Sequence, residues 1–198
     1  MSGAQQLVFV VGSKASSRSN FQAQTGMIQT MIDRYQINSG NTQVGVISYG
    51  SNSARSVIPL GGSANSGIRS LNSAVRGLSY PGGNGNVQLG LNAARQLLQR
   101  SRKAGVSQRL VFAMDGQAGG NVASTASSIA AGGVGVSAVG MGGELSASMM
   151  SSMSSGSEGL YVSNPNDLYE AAGRLAVPVA VAGSHFTRLI CMPQLIFY

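Results

Sequence analysis

Leu7-Val8-Phe9-Val10-Val11 runs directly into Gly12-Ser13-Lys14-Ala15-Ser16. The five apolar residues are too few for a helix and show no alternation. They read as a strand buried on both faces, in the middle of a parallel sheet. The five that follow are small or polar and end the strand. Open α/β sheets bind their ligands where strands end and loops begin. The loop from Gly12 is therefore the first candidate site, and the chain beyond it must supply the helices that a parallel sheet requires.

It does so in alternation. A helix is predicted over 20–36, with Asn20 as its N-cap and Phe21, Ile28, Met31, Ile32 and Tyr35 on one buried stripe. Thr42 to Tyr49 reads as the second strand. Ala54 to Leu60 reads as an antiparallel edge strand closed by Pro59. A helix over 66–78 buries Ile68, Leu71, Val75 and Leu78, and Tyr80 to Asn86 is a glycine-rich loop. A helix over 87–102 ends in Arg100-Ser101-Arg102-Lys103, cations where the helix dipole favours them. Strands follow over 109–114, 134–141 and 160–162, and helices over 121–131, 144–155 and 164–175, the last with Pro165 in its first turn. Met149, Met150 and Met153 read as core packing. The order calls for an α/β fold: a doubly wound, mostly parallel central sheet with one antiparallel edge strand and helices on both faces.

The 198 residues suit one domain, with a hydrophobic content of 43% for its core. Charged residues make up only 10%, against a usual level of about 25%. Gly, Ser, Asn and Gln must cover much of the surface, which fits an extracellular or matrix setting better than a cytosolic enzyme. The single cysteine, Cys191, allows neither an internal disulfide nor a cysteine-rich metal site. Met1 to Ala4 shows no signal-peptide pattern, and no apolar run is long enough to span a membrane.

The formal net charge of +7 favours anionic partners. Arg95, Arg100, Arg102, Lys103 and Arg109 cluster around one helix end and the following strand, with Arg69 and Arg76 on the preceding helix. Together they are expected to form either one flank patch for sulphated glycans or an acidic protein segment, or simply a solvated face. No basic run is interleaved with aromatics, which argues against nucleic acid. Enzymatic signatures are missing. Gly132-Gly133-Val134-Gly135-Val136 precedes a strand rather than following one, and Gly-x-Ser-x-Gly does not occur. His185 reads as incidental, and Asp33, Glu144, Glu158, Asp167 and Glu170 are scattered.

Five local patterns, in order, resemble the von Willebrand factor type A domain. Leu7–Val11 is like its first strand, and Thr42-Gln43-Val44-Gly45-Val46-Ile47-Ser48-Tyr49-Gly50 is similar to its second. Tyr80-Pro81-Gly82-Gly83-Asn84 resembles its glycine-rich loop. Arg109 to Gly116 and Gly135 to Gly142 resemble its fourth and fifth strands. The resemblance puts the domain at 5–176 and leaves 177–198 as a C-terminal tail: a docked or swapped strand, a linker, or sequence foreign to the domain.

The family resemblance implies a non-enzymatic adhesion module that often binds through a metal at the carboxyl end of the sheet. The family's metal loop is Asp-x-Ser-x-Ser, helped by a Thr in the glycine-rich loop and by the Asp ending the fourth strand. Here the matching positions are Gly12, Lys14 and Ser16, then Gly85 with Val87 next but one, and Asp115. Ser16 and Asp115 are the only family ligands left, too few for the octahedral oxygen shell of Mg²⁺, and the lysine would repel the ion. No cofactor is expected. Lys14 is expected either to stand in the metal's place and pair with Asp115 or to point into solvent, with Gly12, Lys14, Gly85 and Asp115 as the binding loops.

The resulting expectation is a secreted extracellular-matrix module that binds collagen, or another matrix protein, without metal. Collagen comes first because its recognition recurs in this family and need not use the metal. A self-associating structural spacer and a module for sulphated glycans are the alternatives.

Overall fold

The computed structural model describes residues 4–12, 18–34, 41–82, 84–116, 121–142, 145–155, 159–162 and 164–175. Six strands form one sheet: β1 (Gln5–Val11), β2 (Thr42–Tyr49), β3 (Ala54–Ile58), β4 (Ser107–Asp115), β5 (Gly135–Met141) and β6 (Leu160–Val162). Their spatial order is β3-β2-β1-β4-β5-β6. All neighbours pair parallel except β2 and β3, which run antiparallel with a register shift at Val46/Ile47. The predicted architecture, including its antiparallel edge, is the one observed.

Helices α1 (Arg18–Arg34), α2 (Ile68–Arg76), α3 (Val87–Arg100), α4 (Val122–Ala131), α5 (Ala147–Ser152) and α6 (Leu168–Leu175) cover the sheet, with short 3₁₀ turns at Ser63–Ser66 and Pro165–Asp167. Strand alternation sorts the core into two layers. Leu7, Phe9, Val11, Val44, Val46, Val111 and Val139 face α1, α2 and α6. Val8, Val10, Ile47, Tyr49, Leu110, Phe112 and Val136 face α3, α4 and α5. The five-residue run that opens the chain is fully buried because β1 lies between β2 and β4 with helices above and below.

Element ends differ from expectation where local chemistry overrides periodicity. Asn20 lies inside the first turn of α1 instead of capping it. The methionine-rich segment is helical only over Ala147–Ser152, because the Ser146 side chain accepts from the Met149 amide and starts the helix there. Met150 and Met153 are buried in the core as predicted. The 177–198 tail lies outside the described residues.

At the amino ends of the strands, three glutamines in register form a ladder, with Gln6 and Gln108 buried and Gln43 half-buried. Gln6 donates to Gln43 at 3.3 Å, and Gln108 donates to Gln6 at 2.8 Å and to the Leu98 carbonyl at 2.8 Å. Ser101 donates to Gln6 at 3.1 Å. Buried amides must be paired, and these pairings fasten the end of α3 to the bottom of the sheet.

Candidate functional site at the carboxyl end of the sheet

β1 connects outward to β2 on one side and neighbours β4 on the other, so strand order reverses between β1 and β4. Ligand crevices of open α/β sheets form at this switch point, outside the carboxyl ends. Gly12 follows β1 there and Asp115 ends β4.

Gly12 is held from both directions. Its amide donates to the Gln24 side chain at 2.9 Å, and the Gln24 amide donates back to the Gly12 carbonyl at 2.9 Å. Gln24 is fully buried on α1. On the opposite side lies Tyr49. A Cβ built on Gly12 would sit 2.4 Å from the Tyr49 carbonyl oxygen and 2.8 Å from its ring. The Tyr49 hydroxyl crosses to β4 and donates to the Ala113 carbonyl at 2.8 Å. The phenol thus runs from β2 past the end of β1 to β4, through the space that a side chain at position 12 would need. Gly90 of α3 lets the helix close on this ring: a Cβ there would lie 2.6 Å from Val10 and 3.0 Å from Tyr49. Burial pushes the Tyr49 hydroxyl far above the usual tyrosine range, and the nearby Asp115 charge pushes it in the same direction.

Asp115 is half-buried. Its Oδ1 accepts from the Asn20 side-chain amide at 2.9 Å, while its Oδ2 is buried with no hydrogen-bond partner among the described residues. Asn20, Gln24 and Tyr49 were not singled out as site residues by the sequence. A signal existed for the first two: Asn20, Gln24, Met27 and Met31 continue one helical stripe, and amides on a stripe facing the core need specific partners.

Lys14 and Ser16 lie outside the described residues, so the Lys14–Asp115 pair does too. Gly85 lies beside Asn86, whose side chain accepts from the Gln88 amide at 3.1 Å and caps α3. Val87 is buried in the core. The described residues therefore do not fit a divalent ion at this end. They offer one free carboxylate oxygen, and among them no group of three or more His, Cys, Asp or Glu side chains comes together.

The seven basic residues do not form one patch. Arg69 and Arg76 are exposed on α2, which packs on the α1 face. Arg95, Arg100, Arg102 and Lys103 belong to α3 and its end, on the opposite face. Arg109 points to the α1 side of β4, where its guanidinium donates to Ser137 at 3.2 Å. Closeness in sequence misled here, because successive helices wind onto opposite faces of the sheet and successive strand residues alternate.

A family model of the von Willebrand factor type A domain matches residues 6–172. The chain belongs to that family. No curated protein matches the sequence. Among solved structures, the type A domain resembles proximal thread matrix protein 1 from the mussel byssus, with a TM-score of 0.75 at 18% identity. That match covers 88% of this chain and 48% of the byssal chain. The same byssal protein "with zinc occupied MIDAS motif" gives a TM-score of 0.71 at 18% identity, covering 88% and 46%. A von Willebrand factor type A protein from Catenulispora acidiphila gives 0.66 at 14% identity, covering 88% and 42%. At these identities the likeness is one of fold, and the type A domain spans less than half the length of each of these chains.

Proposed function

We propose that this type A domain is a non-enzymatic, secreted adhesion module of an extracellular matrix, that it binds collagen or another matrix protein, and that the contact uses no metal ion. The observation that carries the metal-free part is Tyr49 lying against Gly12, in the space where a ligand side chain would start. Family membership and the fold likeness to a byssal matrix protein support the adhesion reading. So does an acid-poor surface with only 6 Asp and Glu in 198 residues, which leaves little to repel and much backbone and amide to hydrogen-bond an extended partner. Among the described residues no helix is long and apolar enough to cross a membrane.

Binding of the purified chain to immobilised fibrillar collagen, first with Mg²⁺ and then with a chelator, tests both parts. Saturable binding that ignores the chelator is the expected result. Binding lost with the chelator overturns metal independence. No binding in either condition overturns collagen as partner, and concentration-dependent sedimentation of the chain alone would then favour a self-associating spacer.

A further inference from the structure

Beyond the collagen reading, and on a different part of the molecule, we propose that the cleft between α3, α4 and the amino end of β4 binds a sulfate group of a sulphated glycan. The cleft has a volume of about 80 Å³ and lies at the opposite end of β4 from Asp115. Arg95 and Arg102 line it together with Gln99 and Ser128, over a floor that includes Leu98 and Ile129. A space of this size holds on the order of a few groups the size of water. It suits one compact oxyanion, while the sugar it belongs to lies outside, against the exposed Arg100 and Lys103.

Three features make the site anion-selective. First, Arg95 and Arg102 bring two positive charges to the cleft, and no Asp or Glu is among the residues that line it. Second, Arg102 donates across the cleft to the Gly132 carbonyl at the end of α4. That bond covers an oxygen that would repel an anion and leaves the other guanidinium donors for a ligand. Third, guanidinium forks match tetrahedral oxyanions, and an apolar floor strengthens each charge-assisted bond. The cleft lining contains no aromatic residue, so it offers no stacking platform for a nucleobase. The glutamine ladder and Ser101 hold the end of α3 in place, which keeps Arg95 and Arg102 on the same cleft.

The test is affinity of the full chain for heparin in 0.15 M salt. Arg95→Gln/Arg102→Gln is compared with Arg69→Gln/Arg76→Gln, which removes the same charge from the opposite face. The first pair is expected to weaken binding by about tenfold or more, because it removes direct charge-assisted bonds. The second is expected to change it by less than about threefold, because screened long-range attraction is all it removes. Equal losses from both pairs, or no binding of heparin by the unmodified chain, overturn the proposal. So does retention of affinity for desulphated heparin, or displacement by polyglutamate as effective as by heparin, which would indicate an acidic protein. Should removal of the Arg102–Gly132 bond unfold the chain, Arg95→Gln alone is expected to weaken binding by about threefold or more with an unchanged melting curve, since Arg95 makes no such tether. No loss from that variant also overturns the site.

Discussion

Replacing Gly12 with alanine puts a Cβ 2.4 Å from the Tyr49 carbonyl oxygen and 2.8 Å from its ring, where ordinary contact begins at 3.4 Å. None of the groups involved can move freely. The carbonyl belongs to the backbone of β2, the ring is pinned by its bond to Ala113, and the Gly12 backbone is held on its other side by Gln24. Forcing a methyl group into a packed interior destabilises by about 1–3 kcal/mol. The backbone contact places this variant towards the upper end. In a domain of this size the loss lowers the melting temperature by about 3–10 °C. Gly12→Asp, which restores the carboxylate of the family's metal loop, adds a charge near Asp115 and is expected to melt lower still. Thermal and urea unfolding of both variants, with and without Mg²⁺, reads the outcome. Tight packing of Tyr49 against Gly12 is refuted if Gly12→Ala melts within about 1 °C of the parent chain, a shift of well under 1 kcal/mol. The same packing is refuted if Mg²⁺ raises the melting temperature of Gly12→Asp, because a ligand stabilises only a fold that holds its site.

Three further variants probe the same region. Tyr49→Phe leaves the Ala113 carbonyl without its buried donor and is expected to lose about 1–2 kcal/mol in urea unfolding at neutral pH. The Tyr49 hydroxyl is harder to ionise in the folded chain than at its ordinary 10.0, so the unfolded chain releases that proton first. The stability that Tyr49 contributes is therefore constant below about pH 10 and falls as pH rises above it, and Tyr49→Phe should flatten that alkaline slope; a slope unchanged in the variant contradicts the assignment. Asn20→Ala removes the amide that donates to Asp115 Oδ1 and is expected to lower stability by about 1–3 kcal/mol, measured by chemical denaturation at neutral pH, with an unchanged stability contradicting it. Gly90→Ala should destabilise, although alanine favours an isolated helix by about 1 kcal/mol, because its Cβ meets Val10 at 2.6 Å. A rise in melting temperature would show that α3 has room to shift.

Much of the fold was legible because it rests on local signals. The Leu7–Val11 run, the helical stripe from Phe21, the Thr42–Tyr49 strand and the Asp115-Gly116 end of β4 each report their own burial and period. The boundaries were less legible. Asn20 has the chemistry of an N-cap, yet its amide is used by a carboxylate from a strand distant in sequence. The candidate site was half legible: the loss of the metal-loop Asp at Gly12 is visible in the sequence, but what occupies its place is not.

The alternating α/β plan, the antiparallel edge, the scarcity of acid and the departure from the family's metal loop can all be read along the chain. All of these are carried by residue type and near-neighbour spacing. The folded chain is needed to see that Tyr49 reaches past Gly12 to Ala113, that Asn20 pairs with Asp115, and that the arginines of α2 and α3 serve opposite faces. Each of these is a contact between elements far apart in the chain. It depends on which strands become neighbours and on which side each helix packs, and no local period encodes either.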